Sequence, residues 1–173
     1  MNIPPHVTIE SQPRDEAALL ALVEEVKRTP FIGQFSLEEL RALQRAGTIR
    51  YFYVGEALAG FAAWSSISAE WVELGPIYAA ESHRDSGIGN LLADFIVSYN
   101  LEQGRNIYGV TKNPRVKKMF LRHGFTPTPF FKLDRAIQRY LLLRLLQPSR
   151  LVQLVLKRTA DTAEHYVRPR ESK

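Results

Sequence analysis

The chain has 173 residues, 45% of them hydrophobic, no cysteine and a formal net charge of +5. That length supports one domain with its own core, and the missing cysteines exclude disulfide scaffolds, thiol nucleophiles and thiolate metal sites. No apolar stretch is long enough to span a bilayer, and Met1-Asn2-Ile3-Pro4-Pro5 lacks the basic and apolar regions of an export signal, so a cytoplasmic protein is expected.

Taken in chain order, hydrophobic periodicity predicts a strand over 7–10 and an amphipathic helix over 15–28, whose apolar positions include Leu19, Leu22, Val23 and Val26. An aromatic segment, Pro30-Phe31-Ile32-Gly33-Gln34-Phe35, leads to a second helix. Ser36 and Glu39 give it a capping-box start and Gly47 a stop. Segments 50–54 and 58–65 form a hairpin turning at Gly55-Glu56, and Trp71–Ala79 is a long strand interrupted by one acidic residue, Glu73. A glycine-containing turn, a helix over 90–103, a strand over Asn106–Thr111 and a helix over 114–123 follow. Pro114 suits the first turn of that last helix, and Gly124 suits the position just past its end. Thr126-Pro127-Thr128-Pro129 leaves little room for another normal strand. Two helical runs come next, 134–147 and one beginning after Pro148-Ser149, and the polar chain from Thr159 is expected to be a flexible tail.

The segment Arg84-Asp85-Ser86-Gly87-Ile88-Gly89 joins a strand to a helix N-terminus, where the first amides have no intrahelical partner and the macrodipole is positive. Phosphate oxygens are suited to such a place, and glycine lets backbone approach them. A purely steric glycine turn would look the same. Neither G-x-x-x-x-G-K-[ST] nor G-x-G-x-x-G is present. The segment does resemble the pyrophosphate motif [QR]-x-x-G-x-[GA] of the GNAT superfamily of acyl-CoA-dependent N-acetyltransferases, through Arg84, Gly87 and Gly89. The order of elements from Tyr51 to Phe125 also follows that family, and Asn113 through the ending Gly124-Phe125 resembles its second acyl-CoA segment.

The resemblance, which extends over roughly 5–133, implies an α/β (α+β) fold: a mixed, mostly antiparallel central sheet flanked by helices. Residues 1–133 form the acyltransferase domain, 134–158 an amphipathic helical extension of it, and 159–173 the flexible tail. It further implies acetyl-CoA as cosubstrate, an amine acceptor bordered by the aromatic segment 30–35, and direct attack in a ternary complex. Cofactor contacts are expected from Ile77, Tyr78 and Ala79, from Arg84, Asp85, Ser86, Gly87, Ile88, Gly89 and Asn90, and from Asn113, Lys117 and Phe120.

Glu73 matches by spacing the catalytic glutamate of some family members, the alternatives being a salt-bridged or solvent-facing residue, or a proton relay through water. The family's usual acid tyrosine is Phe120 here, which has no proton to give. Either a water or another hydroxyl, Tyr78 or Tyr108, is then expected to serve the thiolate. Asp85 also departs from the neutral or basic residues usual in the loop. His6, His83, His123 and His165 are scattered, so no metal is expected. The apolar faces of 134–158 call for packing on the sheet or in a homodimer, and their basic residues allow a peripheral membrane contact as the second reading; no nucleic-acid module is recognisable. The competing function is a non-catalytic acyl-CoA-binding or regulatory module whose basic C-terminal helix meets a partner or membrane surface.

Overall fold

The structure, a computed structural model, describes residues 3–29, 36–145 and 164–170. The expected aromatic segment 30–35 and the helix after Pro148-Ser149 lie outside the described residues. The elements are β1 (Val7–Glu10), α1 (Glu16–Lys27), α2 (Leu37–Arg45), β2 (Ile49–Val54), β3 (Ala57–Ser66), β4 (Trp71–Ala79), α3 (Ile88–Glu102), β5 (Asn106–Thr111), α4 (Pro114–Arg122), β6 (Thr126–Pro127), α5 (Arg135–Leu145) and β7 (Glu164–Arg168), with 3-10 turns at Glu81–Ser86 and Phe130–Lys132. The strand order is β1-β2-β3-β4-β5-β7-β6. β4 pairs with β5 in parallel over Trp71↔Asn106 to Glu73↔Tyr108, while β1–β2, β2–β3, β5–β7 and β6–β7 pair antiparallel. This is the expected mixed, mostly antiparallel sheet flanked by helices.

The chain divides into two units, Met1–Ser65 with Leu74–Gln103, and Ser66–Glu73 with Gly104–Lys173. In the first, strand alternation sends Tyr51, Tyr53, Phe61 and Ala63 to one face, where they pack with Leu19, Leu22, Val23 and Val26 of α1 and Leu40 of α2. Phe52 and Trp64 face the other way, onto Phe95 and Tyr99 of α3. α1 and α2 each begin on a side-chain cap. Asp15 accepts from the amides of Ala17 and Ala18, and Ser36 and Glu39 complete the capping box. In the second unit Trp71, Tyr108, Leu133 and Ile137 form the core.

One expectation changes. The tail read as flexible from Thr159 contains β7, whose five residues pair with β5, while Tyr166 and Val167 also pair with β6 and Tyr166 is buried. A polar sequence becomes a strand there because it has a neighbour on each side, a non-local fact. β6 spans two residues only, in keeping with the little room expected of the proline-rich sequence.

Gly60 holds β3 close to β4: a Cβ there would lie 2.3 Å from the carbonyl oxygen of Tyr78 and 3.0 Å from the Leu92 side chain. Gly60→Ala is therefore expected to cost about 1–3 kcal/mol in urea unfolding, because backbone rather than a mobile side chain has to move. An unchanged midpoint would show that β3 and β4 do not rely on that approach.

Candidate active site

The first unit holds the phosphate-loop residues. β4 ends at Ala79, the 3-10 turn Glu81–Ser86 follows, and Gly87 closes it at φ +83°, the left-handed region glycine enters without penalty. From that residue α3 runs fifteen residues, and its N-cap, being glycine, supplies no side-chain acceptor. Asn90 and Leu91 donate their amides to the Gly87 carbonyl, which starts the helix, and nothing lies within 4 Å of where a Gly87 Cβ would be. The result is a positively polarised helix start without a side-chain cap, beside a pocket of about 160 Å³ lined by Pro4, His6, Val7, Ser86, Gly87, Ile88 and Leu91.

The side chains of the turn are tied back from the amides. Ser86 donates to the His83 carbonyl at 2.7 Å, and Asp85 is exposed. Arg84 donates to the Tyr78 hydroxyl at 3.3 Å and to Glu81 at 3.2 Å, so its cation sits at the base of the turn. Gly89 is half-buried at the start of α3, and Asn90 is exposed. Ile77 and Ala79 are half-buried on β4, whereas Tyr78 is buried against Phe61 and donates its hydroxyl to Glu25 of α1 at 3.3 Å. Glu25 also accepts the Glu81 amide at 3.0 Å. The Tyr78 hydroxyl is thus one link in an Arg84–Tyr78–Glu25 chain that fastens the turn to α1.

The second unit holds the remainder. Glu73 is 6% exposed, and both its oxygens are taken: Arg144 Nη1 lies 2.7 and 2.6 Å from them, and the Tyr140 hydroxyl donates at 2.7 Å. Of the readings open from the sequence, the salt-bridged one is what the geometry presents. Burial disfavours charge on Arg144, but the Glu73 carboxylate more than restores it, and the guanidinium's affinity for its proton ends above the ordinary value. Tyr108 is fully buried and pairs with His165 Nδ1 at 2.7 Å. Burial pushes the Tyr108 hydroxyl well up, with Glu73 adding to it, and burial pulls His165 down toward the neutral form.

Asn113 caps α4 by accepting the Arg115 amide at 2.9 Å. Lys117 is paired with Glu164 of β7 at 2.5 Å, and Glu164, held below its ordinary value first by that lysine, also accepts from Tyr166 at 2.6 Å. Phe120 is buried, stacked on Phe125 and tilted on Tyr166, and its ring fills the place of a side chain at Gly109, where a Cβ would meet Phe120 Cζ at 2.3 Å. The ring of residue 120 is therefore committed to packing α4 on β5. Among the described residues no group of histidine and acidic side chains is arranged to hold a metal.

Sequence reasoning missed Tyr140, His165, Glu164 and Tyr166. For Arg144 a signal existed, a lone cation inside the apolar run from Tyr140 to Leu146. Removing that cation leaves Glu73 buried without a charge partner. Arg144→Leu is expected to lower stability by about 2–4 kcal/mol, and Glu73→Gln in the same chain to recover part of it. Additive losses in urea unfolding would show that the pair is not coupled.

A family model described as the acetyltransferase (GNAT) family matches residues 19–125. A search of curated proteins gave no match. Among solved structures, N-acetylglutamate synthase from Neisseria gonorrhoeae, complexed with coenzyme A and N-acetyl-glutamate, superposes with a TM-score of 0.69 at 17% identity, over 98% of this chain and 36% of that one. Rv2747 from Mycobacterium tuberculosis, in complex with CoA and NLQ, gives 0.69 at 14% identity, over 92% of this chain and 97% of that one. Ard1 from Thermoplasma volcanium gives 0.61 at 16%, over 94% and 95%. The chain spans about a third of the synthase's length. At these identities the superpositions show a common fold, and it is the family model, matching more than half the chain, that carries the assignment: the chain belongs to the GNAT acetyltransferase family.

Proposed function

We propose that the protein is an acyl-CoA-dependent N-acetyltransferase that moves an acetyl group to a primary amine. The observation that carries this reading is the helix start at Gly87, where a left-handed glycine gives α3 no side-chain cap, inside the stretch matched by the family. Acetyl-CoA would bring an activated acyl thioester. Ile88, Gly89 and the turn from Arg84 to Gly87 would hold its pyrophosphate, with the Arg84 cation alongside; Ile77 and Ala79, which keep their backbone donors where Pro76 has none, would orient the arm. The amine nitrogen bonds to the acyl carbon as the carbon–sulfur bond breaks, the amine loses its proton and the thiolate gains one. Amino acids and peptide N-termini are the first acceptors to test, since the neighbours include an N-acetylglutamate synthase.

Proton handling follows from the two occupied positions. With both oxygens of Glu73 bound by Arg144 and Tyr140, and with phenylalanine at 120, water is the better acceptor for the ammonium proton and the better donor to the thiolate. Phe120 is also the observation that favours the second reading, an acyl-CoA-binding module without turnover.

Calorimetry with acetyl-CoA, followed by thiol release against a panel of amines, amino acids and peptides, tests the proposal. Binding with release supports it, binding without release across the panel favours the module, and no binding overturns both. Gly87→Asn keeps the left-handed turn, which asparagine tolerates, but covers the amides; affinity for CoA is expected to fall by at least about tenfold at an unchanged melting temperature. Undiminished affinity would remove the loop from the site. Glu73→Gln, assayed where it remains folded, is expected to keep the shape of the pH–rate profile; a lost acidic limb would restore Glu73 as the base.

A further inference from the structure

We propose that the outer face of α5, with the turn before it, docks the protein on an anionic lipid surface. On the inner side of this helix Ile137, Leu141 and Arg144 are turned toward Trp71, Tyr108 and Glu73. The opposite side is set by the same spacing: Arg135, Arg139, Leu142 and Leu143 recur at intervals of three and four and are all exposed. Leu142 is 54% and Leu143 57% exposed, and Phe131 in the preceding turn is 77% exposed beside the exposed Lys132. Large apolar side chains set among cations are the composition of an interfacial helix, whose aliphatic groups enter the acyl boundary while arginines meet lipid phosphates.

Charge decides the occupant. From Phe130 to Leu143 the cations are Lys132, Arg135 and Arg139, all three exposed, against a single acidic residue. The single acid, Asp134, is spent accepting the Ala136 amide at 2.8 Å. A second copy docked through the same face would set Lys132, Arg135 and Arg139 against their own equivalents about a two-fold axis, which like charge opposes. Nucleic acid would use the cations but leave the leucines and Phe131 without a function. An acidic membrane surface uses both. No described helix is long and apolar enough to cross a membrane, so the contact is peripheral.

The test is co-sedimentation of the full chain with vesicles of phosphatidylcholine, alone or with about one-third phosphatidylserine. Partitioning is expected to be at least about tenfold stronger on the acidic vesicles and to weaken at high salt. Leu142→Ser with Leu143→Ser, and separately Arg135→Glu with Arg139→Glu, are each expected to reduce it by about tenfold, with melting temperature and acetyl-CoA affinity unchanged because neither pair touches the acyl-CoA loop. The proposal is overturned by no sedimentation with acidic vesicles, by equal sedimentation with neutral ones, by a dimer in sedimentation velocity that the leucine variant dissolves, or by duplex DNA binding that the arginine variant alone removes.

Discussion

A carboxylate in the middle of an apolar strand is the constraint around which the second unit is built. Taking such a charge out of water costs several kcal/mol unless a partner of opposite sign and further donors accompany it. Glu73 is placed among the buried residues of β4, and its partners come from a helix about seventy positions later. Tyr140 and Arg144 are one turn apart, so both can reach the same carboxylate only if one side of α5 faces it. Ile137 and Leu141 share that side and enter the core beside Trp71 and Tyr108. The rotation of the helix about its axis is then fixed, and with it the identity of the residues left outside. The polar clasp on the inner face and the arginine–leucine stripe on the outer face are two consequences of one buried charge.

The first unit is organised by glycine instead. At Gly60 the missing Cβ lets the Tyr78 carbonyl come within a distance no side chain would permit, and at Gly87 it allows a left-handed residue between a 3-10 turn and α3. Between these two points the hydroxyl of Tyr78 binds Arg84 and Glu25. The turn is thus held by a hydrogen-bonded chain beneath the start of α3, which has no side-chain cap. An anion-binding helix start gains from such rigidity, because donors that are already oriented need no ordering when the anion arrives.

What the sequence made legible was local. Asp15, Ser36 with Glu39, Asn113 with Pro114, and Gly124 are start and stop signals acting within four residues of one another, and each element they bound appears within a residue or two of its expected limits. The 3-10 turn before Gly87 was not visible, since its six residues carry no periodic pattern. β7 was not visible either: Glu164 to Arg168 is polar, short and far from its partners, and becomes a strand because β5 and β6 flank it. The site divides in the same way. Its glycine loop lies in one stretch of eleven residues from Ala79 to Gly89, whereas the surroundings of Glu73, Tyr108 and Lys117 are assembled from residues that sequence distance separates by 47 to 71.

The substitution at 120 shows how a local replacement spreads into such assembled surroundings. Phe120 sits over Gly109, against Phe125 and against Tyr166 of β7, so its ring joins α4 to a strand that arrives forty residues later. A hydroxyl at the end of that ring would enter a contact already filled by Gly109, where it would need a partner or lose its hydration. Tyr166, buried beside it, directs its own hydroxyl to Glu164, which Lys117 of α4 also binds. Tyr166 is thereby tied into an ion pair, with burial first and the Glu164 bond second holding its hydroxyl up at about 12. Donating to Glu164, that phenol serves the packing of β7, and the proton traffic of the proposed reaction is assigned to water because both oxygens of Glu73 are engaged and residue 120 carries no hydroxyl.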